Sequence, residues 1–282
     1  MINEHEIPSG SRLYFGKSAK LKREIEATAS AFLTEAGFEE IVTPFFSYHQ
    51  HQNISEKEVV RFSDVDNHIV ALRADSTQDV VRLITKRLGR STNHSKWFYI
   101  QPVFRYPSLE INQIGAEFIG NEDLSSSIGV CVDIFDKFHL KPLLHISNIN
   151  IPKIIAKELN VSLDIFEKAE LQKILSLDVP WLEALACLQE PKDIDEVIKI
   201  VPQNLKQELE KMKALYEKIE YENIHFSPLY YVHMRYYDEL FFRFIHKNAT
   251  LAKGGSYESE EIKSTGFALY TDAFIETLDK RN

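Results

Sequence analysis

A chain of 282 residues, 44% hydrophobic and with a formal net charge of −9, is long enough for one large domain with a small insert and apolar enough to bury a core. It holds no apolar run of bilayer-spanning length, and its first residues, Met-Ile-Asn-Glu-His-Glu, lack the basic and apolar regions of a secretory signal, so no membrane association and a cytoplasmic location are expected. The acidic balance, with Lys and Arg scattered, argues against a dedicated nucleic-acid surface. Cys131 and Cys187 are neither closely spaced nor near a His pair, which predicts buried free thiols and no zinc site.

Residues 17–36 place Ile25, Ala29, Phe32, Leu33 and Ala36 on one helical face, stopped by Gly37. A strand over residues 40–43 follows, and Pro44 ends its pairing. Residues 58–73 alternate apolar and polar about Asp64-Val65-Asp66-Asn67, a hairpin pattern. Ser76 or Thr77 caps a helix through Leu88 with Val80, Val81, Leu83 and Ile84 as its apolar positions. The basic run 86–90 ends that helix, where cations complement the dipole. Strands are expected near 97–104 and 113–119, then a helix over 126–138 with Ile128, Val132, Phe135 and Phe138 inward, then a strand over 143–149. Residues 151–220 change character, with Lys, Glu, Leu and Ile in helical periodicity and Pro180, Pro191 and Pro202 as punctuation. They read as an insertion of three to five helices. Residues 230–245, 249–257 and 265–270 return to strand composition, and a short helix over 272–278 follows.

The expected division is a core of 1–150 and 221–282 with a helical insertion at 151–220. The class is α/β of the α+β kind, a mostly antiparallel sheet flanked by helices, because regular strand–helix alternation is missing. No Gly-x-Gly-x-x-Gly and no Walker-type loop occurs, so Rossmann and P-loop chemistry fall away.

The hairpin at 97–119 carries most of the chemistry. Arg105 lies near the end of its first strand. Gln113 and Glu117 lie on its second, an even number of residues apart, so both leave the same face. Arg, Gln and Glu on one sheet face make a polar floor for a small zwitterion or nucleotide. Ordinary surface polars on a hairpin fit the same residues. Glu117 is the hardest to read that way, because an acid inside an apolar strand is rarely buried without a purpose.

Phe104-Arg105-Tyr106 followed by Gln113-Ile-Gly-Ala-Glu117-Phe-Ile-Gly120 resembles motif 2 of class II aminoacyl-tRNA synthetases, in the form of the histidyl-tRNA synthetase branch. Gly37-Phe-Glu-Glu-Ile-Val-Thr-Pro44 is similar to motif 1, and Gly266-Phe-Ala-Leu269 to the opening of motif 3. Leu72-Arg-Ala-Asp-Ser-Thr77, Tyr236-Tyr237 and Gly254-Gly-Ser-Tyr257 are similar to segments specific to the histidyl branch. The resemblance implies the class II catalytic-domain fold and L-histidine as ligand. It assigns the α-ammonium to Asp75, Thr77 and Gln113, and the imidazole to Glu117, Tyr237 and Tyr257, with Arg105 as the motif 2 arginine. It also implies a homodimer through the motif 1 segment, helix 17–36 and strand 40–43. Bland readings stand beside these: Thr77 as a helix cap, Tyr237 as core, and Asp75 paired with Arg73 or Arg82 on the surface.

The residues such a fold needs for ATP are largely replaced. Adenylyl transfer depends on cations at the phosphates. Pro107 stands where a Glu is usual, and the motif 2 loop is cut to residues 107–112 without a basic residue. Ala273 occupies the motif 3 Arg position, Tyr270 a position that is small to admit adenine, and Val232 the position of the histidine-specific catalytic Arg, with Arg235 nearby. No anticodon-binding domain is expected after Gly266. A kept amino-acid pocket in a synthetase without catalytic residues resembles the regulatory subunit of ATP phosphoribosyltransferase, the first enzyme of histidine biosynthesis. That implies a non-catalytic histidine sensor with no cofactor, metal or tRNA, partnered by a short-form catalytic subunit. The alternatives are a divergent amino-acid-activating ligase acting on a non-tRNA acceptor, or an orphan histidine-binding or interaction protein.

Overall fold

Where the apolar spacing repeats at helical period the chain is helical, and the departures are local. The computed structural model describes residues 6–48, 54–88, 91–231, 237–259 and 261–279, with Tyr237 and Asp238 as backbone alone. Helix α1 (Gly16–Glu35) buries Ile25, Ala29 and Leu33 completely, the expected stripe. Strand β1 (Glu39–Glu40) is shorter than expected. Ile41 N–H still bonds Phe98 O at 2.9 Å, but Thr43 N–H turns to the side-chain oxygen of Gln101 at 3.2 Å, which takes the chain out of the ladder. Strands β2 (Phe46–Ser47), β3 (Arg61–Ser63) and β4 (Ile69–Leu72) follow, β3 and β4 forming the expected hairpin. Helix α2 (Ser76–Leu83) is capped by Asp75, whose carboxylate accepts from Gln78 N–H at 2.9 Å. Neither Ser76 nor Thr77 is the cap, and the helix continues through a wider π turn over Ile84–Leu88.

Strands β5 (Lys96–Arg105) and β6 (Leu109–Ile119) form the long hairpin. Helix α3 (Leu124–Lys137) buries Ile128, Cys131, Ile134 and Phe135, while Val132 and Phe138 are half-buried, so the inward face is rotated from the expected one. After β7 (Leu143–Asn148) come α4 (Asn150–Glu158), α5 (Asp164–Glu167), α6 (Leu171–Leu175), α7 (Pro180–Cys187), α8 (Ile194–Ile200) and α9 (Gln203–Tyr216), six helices where three to five are expected. The excess comes from short α5 and α6, separated by turns at Ala169 and Asp178 with positive φ. Cys131 is a buried free thiol, but Cys187, at the end of α7, is exposed. The chain closes with β8 (Ile224–Phe226), β9 (Tyr237–His246), β10 (Ala249–Ser259), β11 (Ile262–Tyr270) and α10 (Thr271–Asp279).

Two compact units result, Met1–Asn121 with Ser259–Asn282, and Glu122–Glu258. The helical segment therefore groups with residues 122–150 and 221–258, a wider unit than the expected insertion. In the second unit β10, β9, β7 and β8 lie in that order, antiparallel except for the parallel β7–β8 pair. Phe135 of α3 packs edge-on to Phe244 of β9 with centroids 5.0 Å apart.

In the first unit β1, β5, β6 and β11 lie in order, β1 parallel to β5 and the rest antiparallel. Helix α2 lies on these strands through Val80 and Ile84 against Trp97 and Tyr99. Beneath it Arg73 is wholly buried. Its guanidinium donates to Thr43 O (2.8 Å), Gln101 Oε1 (3.0 Å) and Pro102 O (2.7 Å from Nη2, 2.9 Å from Nε). Burial pushes its pKa down to about 10, so it is still cationic at neutral pH. Arg73→Met would leave these acceptors buried without donors, at a cost of at least about 3 kcal/mol. The urea-unfolding midpoint should fall accordingly, and an unchanged midpoint would refute the clamp.

Candidate functional site

Glu117 has no exposed surface. Its partner in register on β11 is Gly266, and a Cβ built there would come within 1.9 Å of Glu117 Oε2. On the other flank Tyr99 of β5 pairs with Gly115, where a Cβ would lie 2.2 Å from Tyr99 Cζ. Both glycines are needed because a side chain lies flat on their backbone. The Gln-x-Gly-x-Glu spacing is thus a cradle: Gly115 admits the Tyr99 ring, and the ring's hydroxyl donates to Glu117 Oε1 at 3.4 Å. Thr77 Oγ1 lies 3.1 Å from the same hydroxyl. Thr77 at the start of α2, Tyr99 on β5 and Glu117 on β6 therefore form one polar chain.

Asp75 and Arg105 stand beside it. Burial pushes the Asp75 carboxyl above the usual range; the Gln78 and Thr77 N–H groups and the Arg105 charge pull the other way. Arg82 is turned instead to Asp79, at 3.1 Å, and Arg73 to the carbonyls above, so the alternative of a surface pairing of Asp75 with either falls away. Arg105 Nε is 3.9 Å from Glu58 Oε2, and its buried Nη1 has no hydrogen-bond partner among the described residues. Gln113 is half-buried on the Glu117 face of β6, across from Gln101 and Tyr270 in register. Five of the seven expected residues, Asp75, Thr77, Arg105, Gln113 and Glu117, thus belong to the first unit. Tyr257 and Tyr237 belong to the second, opposite one another in the β10–β9 register. Tyr257 is buried, and the Tyr237 side chain lies outside the described residues, as do Val232, Arg235 and Tyr236. Tyr99 is the residue sequence reasoning missed. Its signal was available in the hairpin register, which sets Tyr99 against the motif glycine.

The ATP-side positions are tied up within the chain. Residues 106–108 suffice to turn β5 into β6, shorter than the expected loop because residues 109–112 are already strand. The N-terminal segment lies on this turn, with Glu110 N–H bonding Gly10 O at 3.1 Å and Ser11 Oγ donating to Ser108 O at 3.2 Å. In the first turn of α10, next to Ala273, the Asp272 carboxylate accepts from Asn112 N–H (2.9 Å), Asn112 Nδ2 (3.0 Å) and Tyr14 Oη (2.5 Å). Arg12 pairs with Glu276 on the same helix.

Among the described residues only Asp64, Asp66 and His68, on the exposed β3–β4 turn, have metal-ligand proximity. Asp64 already accepts there from Tyr48 Oη and from the N–H groups of Asp66 and His68. No helix among the described residues is long and apolar enough to cross a membrane.

Comparison with known proteins converges on one family. The pattern described as histidyl-tRNA synthetase matches residues 14–274. The chain is 51% identical to the ATP phosphoribosyltransferase regulatory subunit of Wolinella succinogenes, over 100% of this chain and 99% of that one. A solved ATP phosphoribosyltransferase regulatory subunit/histidyl-tRNA synthetase from Bacillus halodurans superposes with a TM-score of 0.85 at 21% identity, covering 99% of this chain and 84% of that one. The ATP phosphoribosyl transferase (HisG:HisZ) complex from Thermotoga maritima gives a TM-score of 0.68 at 17% identity, covering 89% and 97%. At these identities the solved structures show the fold, the class II synthetase-like one that the motifs imply.

Gly266→Ala should displace the buried Glu117 carboxylate and cost about 1–3 kcal/mol by overpacking. Combined with Glu117→Ala, the loss should be smaller than the sum of the single losses by at least about 0.5 kcal/mol. Strict additivity in denaturant unfolding would show that the two positions do not touch.

Proposed function

The chain belongs to the family of ATP phosphoribosyltransferase regulatory subunits, and we propose that it binds free L-histidine and relays it to a short-form catalytic subunit of that enzyme. The observation that carries the reading is the contrast within the first unit. The Asp75, Thr77, Arg105, Gln113 and Glu117 set is kept around a polar chain, while the ATP side holds Ala273, a three-residue turn without a basic residue and the Asp272 carboxylate. Asp75, Thr77 and Gln113 would take the ammonium, and the unsatisfied Arg105 Nη1 suits the carboxylate. Glu117 would take one ring nitrogen, with Tyr237 and Tyr257 assigned to the imidazole by resemblance. A carboxylate and a phenol suit the two nitrogens of an imidazole. The Thermotoga maritima complex, by its name, pairs such a chain with a catalytic one, which supports the partner. The scattered cations and acidic balance favour no tRNA ligand.

Self-association through motif 1 is part of the same proposal. Val42 is 76% exposed, and Phe45 and Phe46 are 51% and 59% exposed, directly after β1. Obligate dimer interfaces are apolar in this way.

Titration calorimetry should give saturable histidine binding to the wild-type chain. Glu117→Ala should weaken it by more than about 1 kcal/mol, the cost of a lost buried polar partner. Equal heats in the two proteins would remove Glu117 from the site.

Activity of the short-form catalytic subunit, measured across a histidine titration with and without this chain, tests the relay. Inhibition that needs this chain is expected, with a coupling of about 1–3 kcal/mol. Identical curves would leave an orphan histidine-binding protein as the better description.

A further inference from the structure

The strands of the second unit carry basic side chains in one row. In register, His225 of β8 stands beside His145 of β7, His145 beside Arg243 of β9, and Arg243 beside Lys253 of β10. The two imidazoles stack with centroids 6.2 Å apart. Arg243 Nη2 donates to His145 Nδ1 at 3.2 Å, which makes Nδ1 the acceptor, so the ring is neutral. Burial, then the charges of Arg243 and His225, push the His145 pKa down to about 4. Burial and Arg243 also lower Lys253. Glu190 meets the row only at its outer end, 3.3 Å from His225 Nε2.

Arg243 itself has no carboxylate partner among the described residues. Its guanidinium lies 3.5 Å from the centre of the Tyr230 ring, and its covered Nε has no hydrogen-bond partner among those residues. A half-buried arginine without a facing anion carries part of that desolvation cost, and such groups gather where a ligand supplies the missing charge. A ring face returns only part of that cost.

Arg243 lines a cavity of about 210 Å³ that is otherwise largely apolar, walled by Phe166, Ile174, Leu185 and Leu229, with Ser227 and Tyr230 as polar neighbours. That is below the range of drug-sized sites. None of the residues that the resemblance assigns to histidine lines it. A phosphate would need several donors, and the wall offers mainly hydrocarbon. A single carboxylate on an apolar body matches both the one guanidinium and the wall.

We propose that this cavity is a second ligand site, in the Glu122–Glu258 unit, for a small carboxylate with an apolar body that pairs with Arg243. The test is calorimetry on the full chain with 3-phenylpropanoate and with its uncharged amide as probes. The acid should bind saturably and the amide at least about tenfold more weakly, the worth of one charge-assisted hydrogen bond. Arg243→Met should weaken the acid by a similar factor and leave the amide unchanged. Ala186→Phe, which keeps the arginine and fills the cavity, should weaken both, and it keeps the test decisive if Arg243→Met fails to fold. Saturating L-histidine should not displace the acid, which separates this site from the proposed histidine pocket. No saturable binding of the acid, equal binding of the amide, displacement by histidine, or unchanged binding in Ala186→Phe would each overturn the assignment.

Discussion

The first unit depends on one buried cation. Arg73 joins three stretches of chain that have no ladder with one another at this point: the segment leaving β1 through Thr43, the middle of β5 through Gln101 and Pro102, and its own segment between β4 and α2. Phe45 covers the guanidinium, its ring centre 5.0 Å away. The bonds run to carbonyls and an amide, so the charge is solvated by fixed dipoles in place of water. Asp75 follows two residues later and caps α2. Phe104, next to Arg105, donates its N–H to the Arg73 carbonyl at 2.9 Å. The separation of the Asp75 carboxylate from the Arg105 guanidinium is therefore set by the clamp.

The cradle around Glu117 works by subtraction. Two cross-strand neighbours lack a Cβ, and the space is filled by the Tyr99 ring on one side and the Glu117 carboxylate on the other. Close contact between a side chain and a neighbouring strand's backbone leaves few alternative rotamers. A polar group held in this way meets a ligand already oriented, without the ordering cost a flexible side chain would bring. This is why glycines appear in a motif whose chemistry belongs to Gln and Glu.

Local signals made much of this legible. The α1 stripe, the β3–β4 hairpin and the Gln113–Glu117 face follow from periods of 3.6 and 2, and the motifs supplied the family. What escaped depended on competition between nearby groups or on distant partners. Asp75 takes the cap because its carboxylate reaches Gln78 N–H, leaving Thr77 for Tyr99. The strand after Glu40 stops because Gln101, far along the chain, offers Thr43 a better partner than the ladder. The rotation of α3 and the number of short helices after residue 150 turn on packing that single-sequence periodicity does not encode. The basic row from His225 to Lys253 was invisible for a related reason, since it exists only once four strands are in register.

A zwitterion fits the proposed binding set better than a singly charged ligand. Asp75 is burdened by burial, and Arg105 has a covered nitrogen without a hydrogen-bond partner among the described residues. On the proposed reading, a ligand that brings an ammonium and a carboxylate would relieve both at once, whereas an amine or a simple acid would relieve one and leave the other. With Ala273 at the motif 3 arginine position and no basic residue in the 106–108 turn, that binding energy would not be directed to an adenylylation transition state. It is free to bias one conformation of an assembly over another, and a site regulates only to the extent that it binds two such states unequally. A few unsatisfied charges supply differences of the size regulation needs, about 1–3 kcal/mol. On the proposed reading, loss of the catalytic groups beside a kept binding set is, in energetic terms, a conversion from rate to linkage.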